Sequence, residues 1–365
     1  MITTYLLFTV GLLLLLAGAQ WLVDSSSAIA VRLGISPVFV GIVIVAFATS
    51  APEVAVSLDA ALSGQAELAL GNVVGSNIVN ILLILGVSAI LAPVGISRRI
   101  IWLDVPFLVG ISLLVYLFSL DTTLQFWEGF ILLALFTGFV IFQVRQVKNG
   151  ASPKPPVGEE ASGTDRSLPV QVLVFVVGLG TLIFGAHLMV TYAVDIARFW
   201  GMSELVIGLT VISIGTSLPE VATSVLAAMK GEQDLSVGNV VGSNIFNLLL
   251  VLGVTAVVSG GIAVSEAAIA LDLPFMVAVS VACLPIFITG HRIARWEGMV
   301  FVCYYLAYLL YLFLDATGHE LLSRFNTVMF WFVVPITVIT LGVLVIRTWY
   351  LRRLKKKAEG YAQKS

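Results

Sequence analysis

The sequence predicts an all-α polytopic membrane protein, an inverted repeat of five plus five transmembrane helices with one extra C-terminal helix. Three observations carry that fold class. Of 365 residues, 59% are apolar and 11% charged, against about 25% charged in an ordinary soluble domain, and mean hydropathy is +1.06. The apolar residues fall into eleven continuous runs, each near the ~20 residues that cross a ~30 Å hydrocarbon core. The third observation is that the sequence repeats itself at a spacing of 167 residues. A closed barrel is excluded, because its strands alternate in short segments, whereas these runs are long and rich in Leu, Ile, Val and Gly.

In chain order the runs cover 3–30, 35–62, 68–92, 101–119, 126–146, 169–198, 203–229, 235–259, 268–289, 297–314 and 327–350. In the first, Ala17-Gly18-Ala19 resembles a signal-peptide cleavage site, but Met1 to Tyr5 holds no basic residue and a Gly-Ala step recurs at Gly185-Ala186, so it reads as a retained span. Residues 147–168, with Pro153, Pro155 and Pro156 among mixed charges, read as a flexible linker between a first unit, 1–146, and a second, 169–314. The span 327–350 has no counterpart and reads as an added anchor, followed by a basic tail at 351–365.

Basic residues set the expected orientation, since cytoplasmic loops carry the excess of Lys and Arg. With the N-terminus outside, Arg32, Arg98, Arg99, Arg145, Lys148, Lys154, Arg166, Lys230, Arg292 and Arg295 fall inside, and only Arg198 and Arg324 outside. The remaining seven lie on the C-terminal tail, which eleven crossings also place inside.

The repeat superimposes Gly71 to Asn80 on Gly238 to Asn247 with a single difference, Val79 against Phe246. Thr49-Ser50-Ala51-Pro52-Glu53 meets Thr216-Ser217-Leu218-Pro219-Glu220, and two further pairs, Leu103 to Phe107 with Leu271 to Phe275 and Trp127-Glu128-Gly129 with Trp296-Glu297-Gly298, extend the match over five helices. Five is odd, so the second copy enters from the opposite side and the halves are related by a pseudo-twofold axis in the membrane plane. Inverted repeats of this kind mark transporters whose substrate site lies near mid-bilayer, between the halves.

Glu53 and Glu220 are the residues that most need a use. A carboxylate at the bilayer centre costs about 2.5–3.5 kcal/mol on insertion scales. Ser50, Thr49 and Ala46 share the helix face of Glu53, and Ser217, Thr216 and Ser213 that of Glu220. Pro52 and Pro219 cannot donate to the carbonyls of Ala48 and Gly215, so backbone oxygens are freed in the same place. The next helix of each copy carries a polar stripe at a spacing of four, Asn72, Ser76 and Asn80, repeated as Asn239, Ser243 and Asn247; Gly71, Gly75, Gly238 and Gly242 beside it read as close-packing positions. Every candidate ligand is an oxygen, which suits a hard cation such as Ca²⁺ and its 6–8 oxygen shell better than Zn²⁺ or Cu⁺. Cys283 and Cys303 are too few for a disulfide framework or thiolate cluster, and His187, His291 and His319 are scattered. Asp59 lies off the face of Glu53, Asp24 and Asp195 do not align between copies, and Asp104, Asp272, Glu128 and Glu297 start helices, where a dipole favours negative charge.

These motifs resemble the α-repeats of the cation/calcium exchanger superfamily, most closely its prokaryotic calcium/sodium antiporter branch, over residues ~1–315. Gly-Thr-Ser-x-Pro-Glu and Gly-Asn-x-x-Gly-Ser-Asn-x-x-Asn/Asp each occur twice, with Ala48 replacing the glycine in the first copy. The resemblance implies secondary active antiport by alternating access, Na⁺ running inward to drive Ca²⁺ out. It implies that Glu53 and Glu220 are shared ligands, that Ser50, Ser76, Ser217, Ser243 and the carbonyls near Ala46 and Ser213 line Na⁺ sites, and that Thr49 and Thr216 offer carbonyls to Ca²⁺, with Asn80 and Asn247 completing the site. Relatives often carry Asp where Asn247 stands. The expected partners are Ca²⁺, Na⁺ or H⁺ and the lipid bilayer of the cell membrane, with no cofactor and no nucleic acid; the ions are cargo. The rival readings are an H⁺/Ca²⁺ exchanger, since a buried glutamate can carry protons, and a passive cation channel, whose usual ring around a symmetric pore fits an inverted repeat poorly. With no HExxH motif, no Ser/His pairing and no nucleotide loop, an enzyme is not expected.

Overall fold

The computed structural model describes residues 1–148, 166–202, 207, 211, 213–340, 342–344, 346 and 350. Among them are nine helices long and apolar enough to cross a membrane, and a tenth crossing if a bent pair counts as one. In order these are α1 (Ile2–Leu33), the bent pair α2 (Pro37–Thr49) and α3 (Ala51–Leu62), α4 (Leu68–Leu91), α5 (Ile100–Asp121), α6 (Phe126–Lys148), α7 (Leu168–Phe199), the shorter α8 (Leu218–Met229), α9 (Gln233–Ser259), α10 (Ala268–Ile288), α11 (Arg295–Ala316) and α12 (Leu321–Leu344). Two expectations change. The span expected at 35–62 is broken by 41° between Thr49 and Ala51, where Pro52 removes a backbone donor. The last helix begins at Leu321 rather than 327, and none of its described residues is buried, as suits a helix facing lipid. Most of the expected linker, 149–165, part of the 203–229 span and the tail 351–365 lie outside the described residues.

Helices α4 and α9 are the centre of the fold. Within their most apolar windows 78% and 83% of residues are buried, against 17% for α6 and α11 on the rim. Around them the halves interleave through reciprocal glycine contacts. Gly86 of α4 meets Gly298 of α11, and Gly253 of α9 meets Gly129 of α6; a Cβ built on Gly298 would come within 2.6 Å of the Gly86 carbonyl, and one on Gly129 within 2.9 Å of the Gly253 carbonyl. The glycines of the repeated Trp-Glu-Gly motif are therefore crossing points. Its glutamates cap: Glu128 accepts from the Gln125 amide (2.8 Å) and Glu297 from the Ala294 amide (2.7 Å), which gives the expected helix-start role a geometry.

Helices α1 and α7 pack antiparallel along a glycine spine. A Cβ on Gly18 would lie 2.4 Å from the Leu182 amide nitrogen, and one on Gly185 2.4 Å from that of Leu15. Small residues let two backbones meet where lipid supplies no hydrophobic drive between helices.

Four short strands complete the described fold: β1 (Val94–Gly95), β2 (Thr123–Gln125), β3 (Gly261–Ala263) and β4 (Arg292–Ile293). β1 pairs with β4 and β2 with β3, so each pair ties one half to the other. They lie at opposite ends of the bundle, because β1 follows α4 and β2 follows the next crossing, α5. At the β1–β4 end, Gln233 accepts from the Gly95 amide (2.8 Å), and Lys230 pairs with Asp24 of α1.

Candidate cation site

Each half contributes a helix interrupted at the same serine. Ser50 and Ser217 leave the helical region with ψ near 4°, and Pro52 and Pro219 occupy the first turn of the next segment, where a missing N–H costs nothing. Glu53 and Glu220 sit in that turn, so unsatisfied amides and the positive end of a helix dipole lie beside them. Both are 1% exposed.

The structure brings the two glutamates within electrostatic reach of one another, and Ser50 donates across the interface to Glu220 Oε1 (3.3 Å). Thr49 and Ser243 also approach the Glu220 carboxyl. Among the described residues no Lys or Arg forms an ion pair with either glutamate. Two carboxyls taken out of water without a cation cost several kcal/mol each if ionised.

Several of the sequence-predicted serines and asparagines carry unused oxygens of the same kind. Glu53 Oε2, Glu220 Oε2, Ser76 Oγ, Ser217 Oγ, Ser243 Oγ, Asn80 Oδ1 and Asn247 Oδ1 are all buried without a hydrogen-bond partner among the described residues. A buried polar oxygen left bare costs about 1–3 kcal/mol. These seven, drawn from both halves, are all oxygens, the donor type that hard cations take.

The threonines are placed differently. Thr49 Oγ1 donates to Asn239 Oδ1 (3.3 Å) and Thr216 Oγ1 to Asn72 Oδ1 (3.2 Å), so their hydroxyl protons brace the broken helices against the opposite half, while the hydroxyl oxygens keep their lone pairs. Asn239 in turn donates to Ser224 (2.8 Å) and Asn72 to Ser57 (3.0 Å). These two asparagines of the polar stripe are struts. The Ala46 carbonyl already accepts from the Ser50 amide (3.0 Å), leaving it one lone pair. The backbone of Ser213 belongs to a helical turn, Ser213–Gly215; its side chain lies outside the described residues.

Of the expected close-packing glycines, Gly238 and Gly242 press on α2, where a Cβ on Gly242 would stand 2.5 Å from the Ile42 carbonyl and 2.7 Å from Ala46 Cβ. For Gly71 and Gly75 no described residue lies within 4 Å of an added Cβ. They line a cavity of about 200 Å³ with Val74, Ser265, Asp272 and Tyr308, the last donating to Asp272 (2.9 Å). Asp104 is buried against Arg99 (3.8 Å) and Gln143 (2.8 Å), a structural cluster, and Asp59 is exposed.

At the centre, where α4 crosses α9, four asparagines exchange hydrogen bonds in pairs: Asn77 with the Asn244 carbonyl (3.3 Å), Asn244 with the Asn77 carbonyl (3.4 Å), Asn80 with Asn244 Oδ1 (2.9 Å) and Asn247 with Asn77 Oδ1 (3.1 Å). Asn77 and Asn244 are the residues that reading by face misses; they sit off the stripe of four, though inside the ten-residue identity.

Residues 3–145 and 170–314 match the family model for the sodium/calcium exchanger protein. The chain belongs to that family. It is 40% identical over 86% of its length to a putative antiporter CaxA of Alkalimonas amylolytica, covering 99% of that protein, and 30% identical over 85% to the sodium/calcium exchanger MaX1 of Methanosarcina acetivorans, covering 98%. A structure of the sodium-calcium exchanger NCX_Mj soaked with Na⁺ and Sr²⁺ superimposes with a TM-score of 0.73 at 28% identity, over 84% of this chain and 97% of that one. The family and the fold make this chain a multi-pass membrane protein of the cation-antiporter class.

Proposed function

We propose that this chain exchanges Na⁺ for Ca²⁺ across the cell membrane by alternating access, using one site between its halves. The observation that carries the proposal is a set of seven unpartnered buried oxygens, two of them from glutamates that no described basic side chain neutralises and five from the serines and asparagines of the repeated motifs. Two carboxylates offset the charge of one Ca²⁺, and the surrounding hydroxyl and amide oxygens supply the rest of its shell. With Ca²⁺ gone, Na⁺ ions held at Ser50, Ser76, Ser217, Ser243 and the carbonyls of Ala46 and Ser213 would satisfy the same carboxylates. The site therefore holds one kind of cargo at a time, which is the requirement for exchange. The names of CaxA, MaX1 and NCX_Mj support antiport as the mode and Na⁺ and Ca²⁺ as the cargo.

The domain plan that goes with this is a first unit at 1–146, a cytoplasmic linker at 147–168, a second inverted unit at 169–314, an anchor at 327–350 and a cytoplasmic basic tail at 351–365. The N-terminus is outside, supported by the ten-to-two distribution of basic residues. The pairing of β1 with β4 and of Asp24 with Lys230 agrees with six crossings, an even number, between the members of each pair.

The alternative is H⁺ in place of Na⁺, favoured by carboxyls that are buried without a described basic partner and are neutral when protonated. The test is ⁴⁵Ca²⁺ efflux from proteoliposomes: efflux that requires Na⁺ on the opposite side establishes the proposal, and efflux driven by a pH gradient alone replaces it. Glu53→Gln and Glu220→Gln should each abolish exchange while the protein remains folded; near-wild-type flux in either removes it from the site.

A further inference from the structure

We infer that Asn77 and Asn244 are positioning residues that fix which atom of Asn247 and Asn80 faces the ions. The inference rests on the proposed cation site and deepens it.

An asparagine amide offers an acceptor on one side and two donors on the other, and a half-turn about its last torsion exchanges them. A cation needs the acceptor. Neither Asn80 nor Asn247 can choose its orientation by itself, because both ends have nearly the same shape. The choice is made one layer back, and it begins at a group with no ambiguity.

The main-chain carbonyl of Asn244 can only accept, so the amide nitrogen of Asn77, 3.3 Å away, must be the end that faces it. Asn77 Oδ1 is thereby turned to the other side. There it can only accept, and it takes the hydrogen bond from Asn247 Nδ2 at 3.1 Å. With its nitrogen held, Asn247 must point Oδ1 the opposite way, where it is buried with no partner among the described residues. The mirror chain runs from the Asn77 carbonyl to Asn244 Nδ2 (3.4 Å), then from Asn244 Oδ1 to Asn80 Nδ2 (2.9 Å), and again leaves a bare, buried Asn80 Oδ1. Two backbone carbonyls on the crossing of α4 and α9 thus orient all four amides.

Removing the acceptor at Asn77 should free Asn247 to turn its amide hydrogens toward the ions. Loss of such an orienting partner typically lowers metal affinity about 10- to 100-fold. An aspartate at position 247 has oxygens at both ends and nothing to orient. The effect should therefore vanish in that background, which a packing defect would not do.

The experiment measures the Ca²⁺ dependence of Na⁺-driven ⁴⁵Ca²⁺ uptake in proteoliposomes for wild type, Asn77→Leu, Asn247→Asp and the double variant. The expected result is a rise in KM of about 10-fold or more for Asn77→Leu, with a smaller change in kcat. When Asn77→Leu is combined with Asn247→Asp, the rise relative to Asn247→Asp alone should be less than about 3-fold. Equal KM changes in both backgrounds, or none in either, overturn the inference. The same cycle with Asn244→Leu and Asn80→Asp is its independent repeat. Should the leucine variants not fold, Asn77→Ala removes the same acceptor without added bulk and takes their place in the cycle: a KM rise of about 10-fold or more that shrinks below about 3-fold in the Asn247→Asp background supports the inference, and equal rises in both backgrounds overturn it. Full flux in Glu220→Gln would instead strike the underlying site, a failure visible separately from that of the cycle.

Discussion

Gly242→Ala tests how closely the broken helix of the first half is pressed onto the centre of the second. The added methyl would stand 2.5 Å from the Ile42 carbonyl oxygen and 2.7 Å from Ile42 Cα and Ala46 Cβ. Carbon contacts settle at about 3.5–4.0 Å, so α2 must retreat from α9 by roughly 1 Å. Overpacking of this kind costs about 1–3 kcal/mol, which is a factor of about 5 to 140 in the population of the close-packed arrangement. The retreat also carries Ser50, which follows α2 directly, away from Glu220 Oε1, where its 3.3 Å contact is already long. Initial Na⁺-driven ⁴⁵Ca²⁺ flux in proteoliposomes should therefore fall by about 10-fold or more, and the melting temperature in detergent should fall with it. Gly110→Ala is the control, since no described residue lies within 4 Å of its added Cβ. Gly41→Ala, whose methyl would meet the Leu235 carbonyl at 2.8 Å in the same interface, should combine with Gly242→Ala less than additively, because one retreat relieves both clashes. Wild-type flux and an unchanged melting temperature in Gly242→Ala would refute the close packing of α2 on α9.

Three other outcomes are expected. Single cysteines at Ser152 and Ser365, in a background lacking Cys283 and Cys303, should resist an impermeant thiol reagent applied outside intact cells; labelling of either means that the span count or the orientation is wrong. Asn247→Asp should retain exchange but add a dependence on pH, with acidification bringing flux back toward the wild-type level as the new carboxylate takes a proton and comes to resemble the amide; initial flux against pH at constant Na⁺, compared with wild type, reads this, and superimposable profiles show that position 247 does not titrate in the site. Lys230→Ala should cost no more than about 1 kcal/mol of stability, because its pair with Asp24 is roughly 30% exposed on both sides, and a melting temperature lowered by many degrees would show that the pair does more than join two exposed ends.

The broken helices are legible in the sequence because proline chemistry is local. Pro52 and Pro219 announce a missing donor whatever surrounds them, and their glutamates are too costly in a membrane to be idle. The serines at positions 50, 76, 217 and 243 can be read from periodicity, since a helix face is fixed by spacing alone. Periodicity stops short of the contacts between the halves. Asn72 and Asn239 lie on the same stripe as Ser76 and Ser243, yet they serve as struts to Thr216 and Thr49 of the opposite half, contacts that exist only after the halves meet. Asn77 and Asn244 lie off that stripe and escape it, because spacing along one helix says nothing about where a second helix crosses it. The heptad-spaced Gly11 and Gly18, with Gly178 and Gly185, carry the α1–α7 spine, and in a chain with 32 glycines that spacing does not stand out. The strands are invisible for a simpler reason: two or three residues are too few to show alternation.

The strand exchange has an implication for how such a molecule can be assembled. β1 of one half bonds to the counterpart of β2 in the other, and β2 bonds to the counterpart of β1, so this contact between the halves occurs twice with the roles reversed. That is the contact pattern of an isologous dimer, in which one surface recognises its own copy. Asn77 and Asn244 trade bonds in the same fashion, as do Gly86 with Gly298 and Gly253 with Gly129. The covalent join between the halves is thus chemically redundant with the interface it spans. Separately expressed fragments, cut within 149–165 and inserted in opposite orientations, hold the contacts needed to find one another, and a single ancestral five-helix chain able to insert both ways would have held them too.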